Sequence, residues 1–136
     1  MTAAPSPSVR VLVVDDSPLV REGIRAVLEG YGREAGLTVV GEAASVAEAL
    51  TRAAQDNPDL VLMDIRLPDM DGVEALSRLR MDERTAAIPV LAVTAQAMKG
   101  DSERFKEAGF DGYLSKPVDI DELLTTVEQH CRGRGG

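Results

Sequence analysis

The chain has 136 residues, of which 44% are hydrophobic and 28% charged, a composition that fits one globular domain able to bury a core. Its formal net charge of −8 argues against nucleic-acid binding, because a nucleic-acid surface needs clustered Lys and Arg. No apolar run approaches the roughly 18 residues that span a bilayer, which argues against a membrane protein. The single cysteine, Cys131, indicates a reducing compartment, and we therefore expect a cytoplasmic location.

Short apolar runs alternate with amphipathic segments along the whole chain. The predicted strands are Val9–Val14, Leu37–Val40, Leu60–Met63, Val90–Val93 and Gly112–Leu114. Three of them are continuous Val/Leu/Met runs, which is typical of parallel strands covered on both faces. Helical segments between them predict an α/β fold, a flavodoxin-like (βα)5 doubly wound parallel sheet with strand order 2-1-3-4-5. We expect a disordered arm over 1–8, one domain over 9–131 and a flexible tail over 132–136.

Several helical segments have readable starts. The signals are Pro18 in a first turn, Asp71 as a cap, and capping boxes at Ser45 with Glu48 and at Asp119 with Glu122. The fourth helix differs, because between Gln96 and Ala108 the only large apolar residues are Met98 and Phe105. Gly100 also interrupts its first turn. We expect this helix to be held less firmly than its neighbours, as switching elements often are.

Acidic residues follow two strands that are neighbours in this order. Asp15 and Asp16 follow the first strand and Asp64 follows the third, so all three meet where the order of the strands reverses, the usual ligand site of such sheets. Carboxylates this close repel one another unless a cation lies among them. Oxygen ligands favour Mg²⁺, with Mn²⁺ as an alternative. Taken alone, the acid pair could cap the first helix and Asp64 could be a turn residue.

Two further residues end strands at the same edge. Thr94 ends the fourth strand and Lys116 ends the fifth, and a hydroxyl with an ammonium beside a metal-bound carboxylate suits a small dianion. The carboxylate of Asp64 can attack phosphorus there and become an acyl phosphate. Singly, Thr94 could cap the next helix and Lys116 could be an ordinary ion-pair partner.

With these residues in place, the sequence closely resembles the response-regulator receiver domain of two-component signalling, over about Val9 to Val127. The motifs that carry the resemblance are VVDDSP at 13–18, LMDIRLPDMDG at 62–72, VTA at 93–95 and YLSKP at 113–117. The resemblance implies that Asp64 is the phosphoacceptor. It also implies a Mg²⁺ ion held by Asp16, Asp64 and the backbone carbonyl of Arg66, with Asp15 acting mainly through a metal-bound water.

The resemblance assigns the remaining roles as well. Thr94, the amide of Ala95 and Lys116 would receive the phosphoryl group, and Tyr113 would be the switch aromatic that turns inward when Thr94 moves. The implied partners are a histidine kinase or histidine phosphotransfer protein. A downstream protein target would bind the face formed by the fourth helix, fifth strand and fifth helix. We expect Arg66 and Gln96, each two residues beyond a site residue, to set the lifetime of the acyl phosphate.

Different segments of the sequence resemble different subfamilies of receiver domains. REGIR at 21–25 and VVGEAA at 39–44 are similar to receivers of DNA-binding regulators, whereas VTAQAMKGD at 93–101 is similar to stand-alone chemotaxis or cell-cycle regulators and to hybrid kinases. A receiver fragment of a longer DNA-binding regulator or hybrid kinase, and an unphosphorylated docking module, remain alternatives. An Asp-dependent phosphatase is disfavoured, because Arg66 stands where such enzymes generally need a general acid. We therefore expect a phosphoacceptor switch with slow autodephosphorylation and not an enzyme.

Overall fold

The computed structural model describes residues 9–30, 36–64, 72–94, 101–115, 121–123 and 125–126. Its strands are β1 (Val9–Val14), β2 (Leu37–Ala43), β3 (Leu60–Asp64), β4 (Val90–Thr94) and β5 (Gly112–Ser115). Its helices are α1 (Pro18–Gly30), α2 (Val46–Asp56), α3 (Gly72–Met81) and α4 (Asp101–Ala108), and residues 121–123 and 125–126 are also helical. The sheet has the order β2-β1-β3-β4-β5 and every neighbouring pair is parallel. The predicted fold class and strand order are confirmed.

Strand β2 is longer than its predicted range, which ended at Val40. It continues to Ala43 because its ladder with β1 resumes after a bulge, Val11 pairing with Val39 and Leu12 with Gly41. Gly41 permits a close approach at this point, since an added Cβ atom would lie 3.0 Å from the Asp56 carboxylate. The glycine that looked like the end of a strand is therefore a residue within it.

Two hydrophobic clusters cover the two faces of the sheet, because successive side chains of a strand point to opposite faces. In β3, Val61 and Met63 belong to one cluster and Leu60 and Leu62 to the other. The first cluster packs against residues of α2, α3 and α4, and the second against α1 and Leu123. None of the helices in the described part of the chain is long and apolar enough to span a membrane.

Helix α2 begins at the predicted cap. The Ser45 side chain accepts a hydrogen bond from the Glu48 amide, which is one half of the predicted capping box. The Glu48 carboxylate accepts from the amide of Ala44, one residue before the cap, at 2.7 Å. The starts predicted at Asp71 and Asp119 lie outside the described residues, as do Met98 and Gly100.

Helix α4 is anchored through an aromatic cluster. Phe105 is buried, and its ring makes an edge-on contact with Phe110 at a centroid distance of 5.9 Å and a tilted contact with Tyr113 at 5.7 Å. Most of the other side chains that α4 shows in the described part are exposed. Among the side chains of α4 that the structure describes, Phe105 is therefore the buried anchor.

The amino edge of the sheet is joined by two similar aspartate contacts. Asp59, just before β3, accepts from the Arg10 amide and donates its own amide to the Arg10 carbonyl. Asp111, just before β5, does the same with Val90 at 2.8 and 2.9 Å. Arg80, in the last turn of α3, pairs with Asp111 at 3.0 Å and donates to backbone carbonyls of residues 86 and 88. These bonds connect α3 to the start of β4 and β5.

Candidate functional site

The carboxyl edge of the sheet brings the expected strand ends together. Asp15 directly follows β1, whereas Asp64 is the last residue of β3 and Thr94 the last of β4. The register places Val14 beside Met63 and Asp64 beside Val93, so these strand ends lie at one edge. Thr94 in turn pairs with Ser115, the residue before Lys116.

Three carboxylates converge at this edge. Asp15, Asp16 and Asp64 each offer an oxygen atom, and these atoms lie within 4.8 Å of one another. Asp15 is 2% exposed and Asp64 6% exposed, while Asp16 faces solvent. At this spacing two full negative charges repel by about 1 kcal/mol even in water, and by more where the surroundings are buried. An all-oxygen donor set of this charge fits a hard divalent cation.

The turn between β1 and α1 shows how the acid pair is positioned. The Asp15 amide donates to the Ala43 carbonyl of β2, and the Asp15 carboxylate accepts from the Ser17 amide at 2.9 Å. The cap of α1 is Ser17, whose hydroxyl accepts from the Val20 amide. The alternative that the acid pair caps this helix is therefore wrong, because Ser17 is the cap and Asp16 precedes it.

Arg21 is a neighbour of the site that sequence reasoning missed. Its guanidinium donates to the backbone carbonyl of Asp15 at 2.6 Å and to the Glu42 carboxylate at 3.2 Å. The available signal was its position one turn beyond Ser17, because long side chains on a helix point back toward the amino terminus. The spacing of apolar residues along the helix predicts only that Arg21 lies on the solvent-exposed face.

Thr94 and Tyr113 occupy neighbouring strands. Thr94 is buried, with 5% of its surface exposed. Tyr113 is half-buried on β5, pairs in register with Ala92, and contacts Phe105 of α4. The aromatic residue expected to act as a switch is thus in direct contact with the helix expected to be held less firmly. Arg66, Ala95, Gln96 and Lys116 lie outside the described residues.

The fold and this edge of acidic residues define a class of protein. The chain belongs to the response regulator receiver domain family, whose model matches residues 11–128. Receiver domains act in phosphorelay signalling as switches and not as classical enzymes, which confirms the predicted family and role.

Individual relatives agree with this assignment. The polar-differentiation response regulator DivK of Brucella ovis is 40% identical over 120 residues, covering 88% of this chain and 94% of that protein. A two-component response regulator of the LuxR family from Aurantimonas sp. has a TM-score of 0.80 at 36% identity, covering 93% of this chain and 86% of the other.

A third relative bears on the acidic cluster. The receiver domain of sensor histidine kinase PA1611 from Pseudomonas aeruginosa has a TM-score of 0.77 at 33% identity, covering 92% of this chain and 98% of the other. That structure contains a magnesium ion coordinated in the active site cleft. In the present chain, the carboxylates of Asp15, Asp16 and Asp64 could hold a metal ion.

Proposed function

We propose that this receiver domain accepts a phosphoryl group on Asp64 from a phosphohistidine of a histidine kinase or histidine phosphotransfer protein. The observation that carries the proposal is the convergence of Asp15, Asp16 and Asp64 at the carboxyl edge of a receiver sheet. Asp64 is the best nucleophile of the three because it ends the central strand β3, where a rigid backbone fixes its position. Membership of a family that acts in phosphorelay signalling supports phosphoryl transfer as the reaction.

The transfer needs one nucleophile and one leaving group. A carboxylate oxygen of Asp64 attacks phosphorus, the new P–O bond forms as the P–N bond of the phosphohistidine breaks, and the imidazole leaves with the electron pair and takes up a proton. Asp16, Asp64 and the carbonyl of Arg66 would hold Mg²⁺, with Asp15 acting mainly through a metal-bound water. The ion would offset the charge on the phosphoryl oxygens. Mn²⁺ offers the same ligand chemistry and is a weaker candidate.

The remaining residues receive the group and transmit its presence. The buried Thr94 hydroxyl, the Ala95 amide and the Lys116 ammonium would bind phosphoryl oxygens. Inward movement of Thr94 would open space for Tyr113, whose ring contact with Phe105 couples it to α4. The face of α4, β5 and the last helix would then bind a downstream protein. Arg66 and Gln96 would set the rate of autodephosphorylation, and we place this activity in the cytoplasm.

Small-molecule phosphorylation tests the assignment. The protein is incubated with Mg²⁺ and acetyl phosphate, and its intact mass is measured over time. We expect one labile phosphate adduct in the unaltered protein and none in Asp64→Asn. Asp59→Asn is the matched control, because it changes the same residue type at the opposite edge of the sheet and should still form the adduct.

Three results would contradict the proposal. An equal amount of phosphate adduct in Asp64→Asn would show that another residue is the phosphoacceptor. Repeated turnover of varied phosphoesters would indicate a phosphatase. An unchanged mass with acetyl phosphate and with a phosphorylated phosphotransfer protein, under conditions where the fold is intact, would indicate a docking module that is not phosphorylated.

A further inference from the structure

Arg21 connects the acidic turn to the edge strand of the sheet. Its side chain is 17% exposed, and it lies between the Asp15 carbonyl, 2.6 Å from Nη1, and the Glu42 carboxylate on β2, 3.2 Å from Nε. A planar guanidinium can hold two acceptors at once in a fixed direction. The carbonyl of Asp15 is thereby fixed at the residue that begins the acidic pair.

The charge of Arg21 is largely offset by its own surroundings. Glu42 binds Arg21 through one carboxylate oxygen and Arg25 through the other at 3.0 Å, and Arg25 also pairs with Glu29 at 3.0 Å. Two arginines and two glutamates therefore form a group with no net charge. A cation held in such a group repels a divalent ion less than an isolated one would, so its geometric effect dominates.

We propose that Arg21 is a positioning residue for the metal site, holding the β1–α1 turn so that Asp15 and Asp16 face Asp64. The inference rests on the proposed metal site and extends it to a residue that is not one of the proposed ligands of the metal or the phosphoryl group. Asp15 is fixed on one side by the Ala43 carbonyl and by Ser17, and on the other by Arg21. Without the guanidinium, the turn keeps its helix cap but loses the bond that holds its carbonyl.

Arg25 provides a matched control for this role. It lies one turn further along α1, carries the same charge and shares the same glutamate, but its side chain is 52% exposed and its contacts are with Glu29 and Glu42. A long-range charge effect would act in the same direction at both arginines, and removing either one would tighten Mg²⁺ binding. A positioning effect would weaken Mg²⁺ binding in Arg21→Ala and leave the Mg²⁺ affinity of Arg25→Ala close to that of the unaltered protein.

The test is the dissociation constant for Mg²⁺ alone, measured by titration of backbone amide NMR signals without any phosphodonor. Partners that orient metal ligands commonly change affinity by 10–100-fold, and we expect about tenfold weaker binding in Arg21→Ala because Arg21 acts on a backbone carbonyl. Arg21→Met retains the apolar stem and should show the same loss. Arg21→Lys, which can reach one of the two acceptors, should recover part of it. Arg25→Ala should stay within about twofold.

The outcomes separate this role from the metal site itself. Mg²⁺ binding by the unaltered protein, lost in Asp64→Asn but unchanged in folded Arg21→Ala and Arg21→Met, would overturn the positioning role and leave the proposed function standing. Tighter binding in both Arg21→Ala and Arg25→Ala would assign Arg21 a charge effect instead. Absence of Mg²⁺ binding by the unaltered protein would overturn both proposals. A urea unfolding curve for each variant shows which of them are folded.

Discussion

Aspartates lie at both edges of the central sheet, in different surroundings. At the amino edge, Asp59 and Asp111 each accept a hydrogen bond from a neighbouring strand, and Asp111 is also paired with Arg80. At the carboxyl edge, three aspartates bring their oxygen atoms within 4.8 Å of one another. Aspartate thus links neighbouring strands at the amino edge, whereas at the carboxyl edge it forms a cluster of negative charge.

The amino edge of the sheet stabilises the fold, whereas the carboxyl edge reduces its stability. Acceptor groups that match donors stabilise the amino edge, whereas like charges at the carboxyl edge raise the free energy of the folded chain until a cation binds. Sites that store such unfavourable contacts are often functional. Substitutions of aspartate at the two edges should therefore change the free energy of unfolding with opposite signs.

The largest effect is expected at Asp111. Asp111→Ala removes the acceptor for the Val90 amide and the partner of Arg80, so we expect the free energy of unfolding to fall by about 2–4 kcal/mol. Asp111→Asn keeps an acceptor oxygen and should lose about half as much. Urea unfolding in the absence of divalent ions measures both, and equal losses in the two variants would show that the backbone bond contributes little.

Asp64→Asn should have the opposite sign and a smaller size. Without divalent ions, removing one of three adjacent charges should raise the free energy of unfolding by about 1 kcal/mol. With Mg²⁺ at 100 times its dissociation constant, the unaltered protein should gain about 2.7 kcal/mol, and Asp64→Asn should gain much less. Thermal unfolding with and without Mg²⁺ measures both terms, and a less stable Asp64→Asn in chelator would contradict the comparison.

Much of the fold follows from the sequence because buried parallel strands leave a direct signal. Runs such as Leu60–Met63 have no polar alternation, and the helices between them admit few arrangements of the sheet. The convergence of Asp15 and Asp64 then needs only the order of the strands. A site made of strand ends is thus predictable before any contact between side chains is known.

Other features depend on tertiary contacts that the pattern of apolar residues in the sequence does not predict. Gly41 continues β2 because its missing Cβ atom leaves room for Asp56 and Leu12. Arg21 and Arg80 act through guanidinium groups at the ends of long, flexible side chains, and their partners are 6 to 31 positions away in sequence. Such contacts are decided by tertiary packing, so a pattern of apolar residues cannot place them.

The smallest effect concerns an aspartate that belongs to neither edge. Asp82 lies half-buried after α3, and hydrogen bonds from the side chain and then the backbone amide of Arg84 hold its pKa below the ordinary value of 3.8. Because the folded pKa is depressed, the contact stabilises the protein above pH 3.8 and is lost as the pH falls through the folded value. Asp82→Asn should therefore be slightly less stable than the unaltered protein at neutral pH, with the difference shrinking in acid. Water screens this pair, so the loss of stability in Asp82→Asn should be smaller than that in Asp111→Asn. A larger loss in matched urea curves would show that the Asp82–Arg84 pair stabilises the chain more than the Asp111–Arg80 pair does.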